Sequence, residues 1–199
     1  MNKFALVGVG AMAVVAVAGG AWVWVSRSVE TPAYTVEVAD GPFEIRNYPT
    51  LVVASVDRDG ERGEAVRAAF SPLARYIFAR DRDGEKIAMT APVTQEPSQG
   101  GWTVSFIMPA GRTVADLPAP FAAQDISLSE IEPRQMASVR FSGRWTDDRF
   151  NEAAGQLAQW LESKNMTPAG PPEFAYYNDP FTPPFLRRNE VLIEIAKES

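Results

Sequence analysis

The chain has 199 residues, 46% hydrophobic and 22% charged, with a formal net charge of −6 and neither cysteine nor histidine. That apolar fraction suits one globular domain with an appendage and argues against disorder. The two missing residue types exclude disulfides, a thiol nucleophile, Cys- or His-ligated zinc, axial histidine on haem iron and the usual Ser-His-Asp triad.

Residues 4–25 read FALVGVGAMAVVAVAGGAWVWV, 22 positions without a charge. At ~1.5 Å per residue, a helix of that length crosses a bilayer core of ~30 Å. Lys3 precedes it and Arg27 follows; Trp22 and Trp24 stand where aromatics favour the interface. A cleaved signal peptide competes, because Ala16-Val17-Ala18 offers an A-x-A site. Signal cores usually run only ~7–15 residues. The expectation is one transmembrane helix within 1–27 as an uncleaved anchor, a linker at 28–33, and a domain over 34–199. The flanking charges lean toward a domain outside the cytoplasmic membrane, on the periplasmic side. Beyond residue 27 stand 17 bases and all 25 acids, a formal charge of −8. That sign disfavours nucleic acid and anionic lipid as partners.

The domain then reads as strands at Tyr34–Val38, Phe43–Tyr48 and Leu51–Val56, followed by a polar loop over Asp57–Gly63. Glu64–Ala79 reads as a helix with Val66, Ala69, Phe70, Leu73 and Ile77 on one stripe. Pro72 inside it predicts a kink or two shorter pieces. Ile87–Thr94 and Thr103–Met108 follow as strands, separated by Gln95–Gly101. The order then repeats. Ile126–Ile131 and Met136–Phe141 are strands, and Thr146 caps a helix over about Asp147–Lys164. That helix has a core stripe of Phe150, Ala153, Ala154, Leu157 and Leu161. Tyr176–Tyr177 and Val191–Ile195 close the chain. The fold class is α+β: two duplicated β-β-α-β-β halves, with two helices on a mostly antiparallel, strongly curved sheet or open barrel.

Three stretches are distinctive: FEIRNY at 43–48, KIAMTAPV at 86–93 and YNDPFTPPFLRRNEVLI at 177–193. In this order and spacing the chain resembles the SOUL haem-binding family, over about residues 34–196. The resemblance implies a distorted eight-stranded β-barrel with two outer helices. It also implies reversible binding of haem, or a related tetrapyrrole, in a surface groove beside the first helix.

Haem is a flat apolar disc with two carboxylates at one edge, so its site needs an apolar platform and nearby cations. At ~100° per residue, Arg67, Ser71 and Arg75 fall within ~80° of one another on the first helix. Ala74 and Phe78 share that sector and Phe70 borders it. The resemblance maps the binding helix here, with Arg67 and Arg75 as basic positions and Phe70 as platform. The alternative is an ordinary solvated helix face. Thr182, Pro183 and Pro184 stand, without a lysine, where the family places an aid to binding. No strong iron ligand is expected. Met89, Met108 and Met136 read as core, Met166 as the freest methionine, and Tyr76 as an outside choice. Phe181, Phe185 and Trp160 read as lid or core aromatics. An Arg–Glu pair within Arg187–Glu190 and a turn at Asn189 would anchor the last strand to the Pro-rich loop.

The leading function is therefore a non-enzymatic, membrane-tethered haem or tetrapyrrole carrier, buffer or scavenger. The competing functions are a scaffold module for a protein partner, using Pro168–Pro184, and a binder of other flat apolar molecules. Asp147 and Asp148 read as helix-start residues rather than an acid–base pair.

Overall fold

The computed structural model describes residues 29–80, 82–121 and 125–196. The expected membrane span at 4–25 lies outside the described residues. Among those described, no helix is long and apolar enough to cross a membrane.

Nine strands form one antiparallel sheet: β1 (Thr35–Asp40), β2 (Phe43–Tyr48), β3 (Leu51–Asp59), β4 (Val93–Ser98), β5 (Gly101–Ile107), β6 (Ser127–Ile131), β7 (Arg134–Phe141), β8 (Glu173–Tyr176) and β9 (Asn189–Glu194). Two helices, α1 (Arg62–Ile77) and α2 (Asp147–Ser163), cross one face of it. The strand order is β1-β2-β7-β9-β8-β4-β5-β3-β6. Apart from the edge strand β1, this order is symmetric about the β8–β4 pair. β7 takes β2 as its outer neighbour, and β3 takes β6. Each half thus borrows a strand from the other.

Only Pro49 and Thr50 separate β2 from β3, yet those strands stand near opposite ends of the sheet. So short a connection draws the two ends together and curls the sheet into a half-barrel. The eight-stranded barrel implied by the family resemblance is therefore corrected: among the described residues there are nine strands, and the end strands β1 and β6 do not pair. A register shift between Val36 and Val38, and the charges of Glu37 and Asp40, make β1 a poor template for further pairing.

Strand alternation gives the sheet two different faces. Beneath α2, Ile45, Ala137, Val139, Phe174, Val191 and Ile193 meet Phe150, Ala153, Leu157 and Leu161. Beneath α1, Val52, Ala54, Val56, Val104 and Phe106 meet Ala69, Leu73, Tyr76 and Ile77. The inner, concave face carries a smaller cluster of Tyr48, Met136, Ala175 and Leu192. All three clusters lie within the compact unit 31–199, which carries its own core.

Several expected boundaries shift for identifiable reasons. Residues 87–92 are not a strand. Pro92 has no N–H for a ladder, and the Ile87 N–H donates to the Ile77 carbonyl at 2.8 Å. Pairing begins at Val93 and continues through the expected separator to Ser98. β4 tolerates Pro97 because its pairing with β8 ends at Gln95. The last-but-one strand is Glu173–Tyr176 rather than 176–177, starting directly after Pro172. At the β4–β5 turn a Cβ on Gly101 would lie 2.1 Å from the Arg58 carbonyl oxygen, so only glycine lets β3 approach there.

α1 runs unbroken through Pro72. The ring removes a donor to the Ala68 carbonyl, and Ala68 is exposed, so that carbonyl is not sealed away from solvent. Both helices end alike. After α1, the Arg80 N–H donates to Arg75 O and the Ala79 N–H to Tyr76 O. After α2, the Met166 N–H donates to Leu161 O and the Asn165 N–H to Glu162 O. These are Schellman caps, which need one left-handed residue. Asn165 (φ 56°) tolerates that conformation, whereas Ala79 (φ 51°) is strained. Ala79→Gly is therefore expected to stabilise the domain by about 0.5–1 kcal/mol in urea unfolding. Unchanged or lower stability would contradict the strain assignment.

Candidate functional site

Five of the six expected binding residues, Arg67, Phe70, Ser71, Ala74 and Arg75, lie on the solvent side of α1; Phe78 caps its C-terminal end and packs against the core cluster beneath it. The opposite side of the helix buries Arg62, Ala65, Ala69, Leu73, Tyr76 and Ile77. Arg67, Ser71 and Arg75 are exposed, and Ala74 and Phe78 are half-buried. Phe70 is 43% exposed and does not join the core, correcting its place on the apolar stripe. Its ring meets Phe106 edge-on at 5.5 Å. Tyr76, fully buried, takes the core position instead. The shift follows from packing: α1 turns the row 65–69–73–76 inward, leaving Phe70 at the margin.

This face has the features a flat dicarboxylate ligand requires. Arg67 and Arg75 are two turns apart, roughly 12 Å along the axis. Between them lie the apolar surfaces of Phe70 and Ala74, while Phe78 follows Arg75 and packs partly against the core cluster under α1. No ion pair engages Arg67 among the described residues.

The proposed iron ligands fare unevenly. Tyr76 is sealed in the core and its hydroxyl donates to the Pro118 carbonyl at 2.8 Å. Met108 and Met136 are buried. Met89, expected in the core, is 41% exposed because its segment is not a strand. Met166 is partly buried against the α2 cluster rather than free. Among the described residues, no group of three or more acidic side chains is arranged to hold a metal.

The Pro-rich loop is braced from within. Asp179 Oδ1 accepts from the Phe181 and Thr182 N–H groups at 2.8 and 3.1 Å. Arg187 donates to the carbonyls of Thr182 and Pro180, each at 2.8 Å, and lies 4.1 Å from the Trp145 ring centroid. This scaffold leaves Phe181 90%, Phe185 75% and Leu186 52% exposed, so Phe181 and Phe185 are not core residues. Trp160 is core, stacked on Phe43 at 5.2 Å.

The expected Arg–Glu pair within Arg187–Glu190 is present as Arg188–Glu190, but it belongs to one of two buried charge networks that the sequence does not announce. Arg62, only 4% exposed, opens α1, where a cation opposes the helix dipole. It is compensated from the other half of the domain. Its Nε donates to Asp147 Oδ1 at 2.6 Å and its Nη1 to Gln95 Oε1 at 3.0 Å. The Tyr176 hydroxyl also accepts from it, and the Phe150 ring centroid lies at 4.8 Å. Asp147 is thus more than a helix-start acid.

The second network fills the inner face. Glu190, fully buried, accepts from Arg46 at 2.6 and 3.1 Å, from Arg188 Nε at 2.9 Å and from the Tyr177 hydroxyl at 2.8 Å. Glu44 binds the remaining Arg46 Nε at 2.7 Å. Burial would push the Glu190 carboxyl up, but the Arg46 bonds and charge, with Arg188 and Tyr177, hold it below its ordinary value of 4.5. Burial pushes the Tyr48 hydroxyl beside Arg46 up to about 12. Asn189 completes the anchor: its Oδ1 accepts from Trp145 Nε1 at 2.7 Å and its Nδ2 donates to the Gly143 carbonyl at 3.3 Å. The conspicuous FEIRNY and RRNEV segments are thus two sides of one internal support.

A carboxyl with a lowered folded pKa stabilises fully above its ordinary value, and that stabilisation is lost as pH falls through the folded value. Glu190→Gln leaves two guanidinium groups without their shared anion and is expected to cost about 3–5 kcal/mol near neutral pH. In urea unfolding from pH 7 to pH 3, the gap between wild type and E190Q should shrink below the ordinary carboxylate range. A constant gap would show that the Glu190 charge is not the source.

Known structures resemble this one at low identity. The C-terminal domain of EcmrR aligns over 83% of this chain and 99% of its own, with a TM-score of 0.57 and 14% identity. A hydrolase from Listeria innocua aligns over 80% and 94%, with a TM-score of 0.53 and 12% identity. These likenesses show the fold alone. Heme-binding protein 2 of Homo sapiens is 34% identical over 89 residues, which is 41% of this chain and 43% of that protein's length. The SOUL heme-binding protein model matches residues 29–194. By that match the chain belongs to the SOUL heme-binding protein family.

Proposed function

We propose that this protein is a non-enzymatic haem or tetrapyrrole carrier that holds its ligand on the outer face of α1, without an axial histidine. The observation that carries this reading is the mixed face itself: Arg67 and Arg75 exposed, Phe70 43% exposed and Ala74 half-buried between them, and Phe78 half-buried at the helix end. The guanidinium groups would take the two propionates, and the Phe70 and Phe78 rings would support the macrocycle. Bound haem brings its iron and conjugated ring as cargo. The chain has no histidine or cysteine for that iron. Family membership and the human relative, named for haem binding, support the ligand class.

In this reading the charge-free residues 4–25 tether the carrier to a membrane, with the domain on the periplasmic side. The acidic domain is not suited to nucleic acid. A ligand-free interaction module is the other reading, favoured by the exposed Phe181 and Phe185 on their braced loop.

Haemin titration of residues 28–199 separates the two. Saturable 1:1 binding with a Soret shift is expected. Arg67→Glu combined with Phe70→Ala should weaken it at least tenfold without changing urea stability by more than about 1 kcal/mol. An unsaturable titration, or affinity indifferent to the double substitution, would overturn the carrier reading.

A further inference from the structure

The Pro-rich loop between β8 and β9 carries the two most exposed large apolar side chains among the described residues, Phe181 and Phe185. Leu186 stands beside Phe185 on a short 3-10 turn, Pro184–Leu186. At such exposure these side chains project into solvent instead of lining a groove. The Asp179 and Arg187 bonds already hold the loop, so little ordering cost remains for docking.

Two exposed arginines stand at the base of the loop. The Gly143 N–H donates to the Pro184 carbonyl at 2.9 Å, and a Cβ on Gly143 would lie 3.1 Å from Arg149 Nη1. The Arg149 guanidinium therefore lies against the segment that holds the turn. Arg144 follows Gly143 directly and is exposed. Among the described residues, no ion pair engages Arg144 or Arg149. Segments 142–149 and 178–188 together hold four arginines and three aspartates, on a domain that is strongly acidic elsewhere. Asp147 is bound to Arg62, and Asp179 to the loop's own N–H groups. The patch is thus apolar at its tip and close to neutral at its rim.

That arrangement fits a phospholipid surface, where apolar side chains enter the boundary of headgroups and acyl chains and guanidinium groups bond phosphates. The acids elsewhere on the domain would be repelled by an anionic leaflet, so a zwitterionic headgroup fits best. A bilayer is also within reach. Seven residue steps separate Arg27 from Tyr34, at most about 25 Å of extended chain. The Tyr34 hydroxyl accepts from Arg188 Nη2, at the root of the loop, at 3.4 Å. We propose that the 178–188 loop is a membrane-docking surface: Phe181, Phe185 and Leu186 enter the interface of a zwitterionic bilayer, and Arg144 and Arg149 bond its phosphates. Its reach rests on the reading of residues 4–25 as a tether, and it is independent of the haem reading.

The test supplies its own tether. Residues 28–199 with an N-terminal hexahistidine would be held on phosphatidylcholine vesicles containing a nickel-chelating lipid. The chain has no cysteine, so Leu186→Cys accepts a single environment-sensitive fluorophore. Gln99→Cys serves as the control, because β4 runs from Val93, paired with Tyr176 beside the loop, to a turn at the far end of that strand. Emission from position 186 should rise at least twofold and be quenched by nitroxide lipids, while position 99 stays aqueous. Phe181→Ser with Phe185→Ser should remove most of the rise, as should Arg144→Glu with Arg149→Glu, without changing haemin affinity. Phosphatidylglycerol in place of a third of the lipid should not strengthen docking. A position 186 as aqueous as position 99, as for a loop that serves a protein partner, would overturn the proposal. So would docking that survives both double substitutions, a tenfold loss of haemin affinity on the phenylalanine substitutions, or a gain above twofold from phosphatidylglycerol. Flotation of the full chain with vesicles reads the 4–25 anchor separately.

Discussion

The Glu190 carboxylate lies out of reach of water between two guanidinium groups, and the shape of the domain depends on it. A curled sheet with both helices on its outer face has no third layer to fill its inside. Burying an isolated charge there would be prohibitive. Here Glu190 and Glu44 balance Arg46 and Arg188, and the tyrosine hydroxyls take up remaining bonds. Arg46 comes from β2 and Glu190 from β9, with β7 between them in the sheet. The network therefore ties strands that are not hydrogen-bonded neighbours and holds the curl. Arg62 does the corresponding work on the outer face, joining the start of α1 to the start of α2.

These supports free other parts of the molecule from structural duty. The outer face of α1 keeps guanidinium groups and aromatic surface at the boundary with water. The Pro-rich loop is held by its own backbone and by Arg187, so its aromatic side chains play no part in the core. A ligand that must be picked up and released suits a surface of this kind. Its contacts can be lost without disturbing the folded state.

The strands and helices were largely legible because alternation and the 3.6-residue period are local properties. Strand alternation assigned side chains to two faces, but it carried no sign that one face would curl around itself. The setting of Arg46 and Glu190, 144 positions apart, was therefore invisible even though both stood in conspicuous segments. Arg62 fell within what looked like a polar loop, and its partner Asp147 stands 85 positions away. The run 87–94 failed for a different reason: apolar composition matched a strand, but Pro92 removed the donor that pairing needed. The α1 face was readable because five of the six residues sit on one helix and the sixth, Phe78, caps its end. Phe70 was misplaced because two adjacent stripes, 65–69–73 and 66–70–73, are nearly equally apolar and only tertiary packing chooses between them.

The exchange of strands between the halves has a consequence for how the chain acquires its structure. β3 has β5 on one side and β6, from the far half, on the other; β7 has β9 and β2. Cutting the chain between the halves would leave each product with an unfilled strand position and a bare row of backbone donors and acceptors. The likeness of the two halves thus does not make them autonomous modules. The first cannot finish its sheet until the second has emerged, so the domain forms late and as a single cooperative unit, dominated by contacts between residues far apart in the chain.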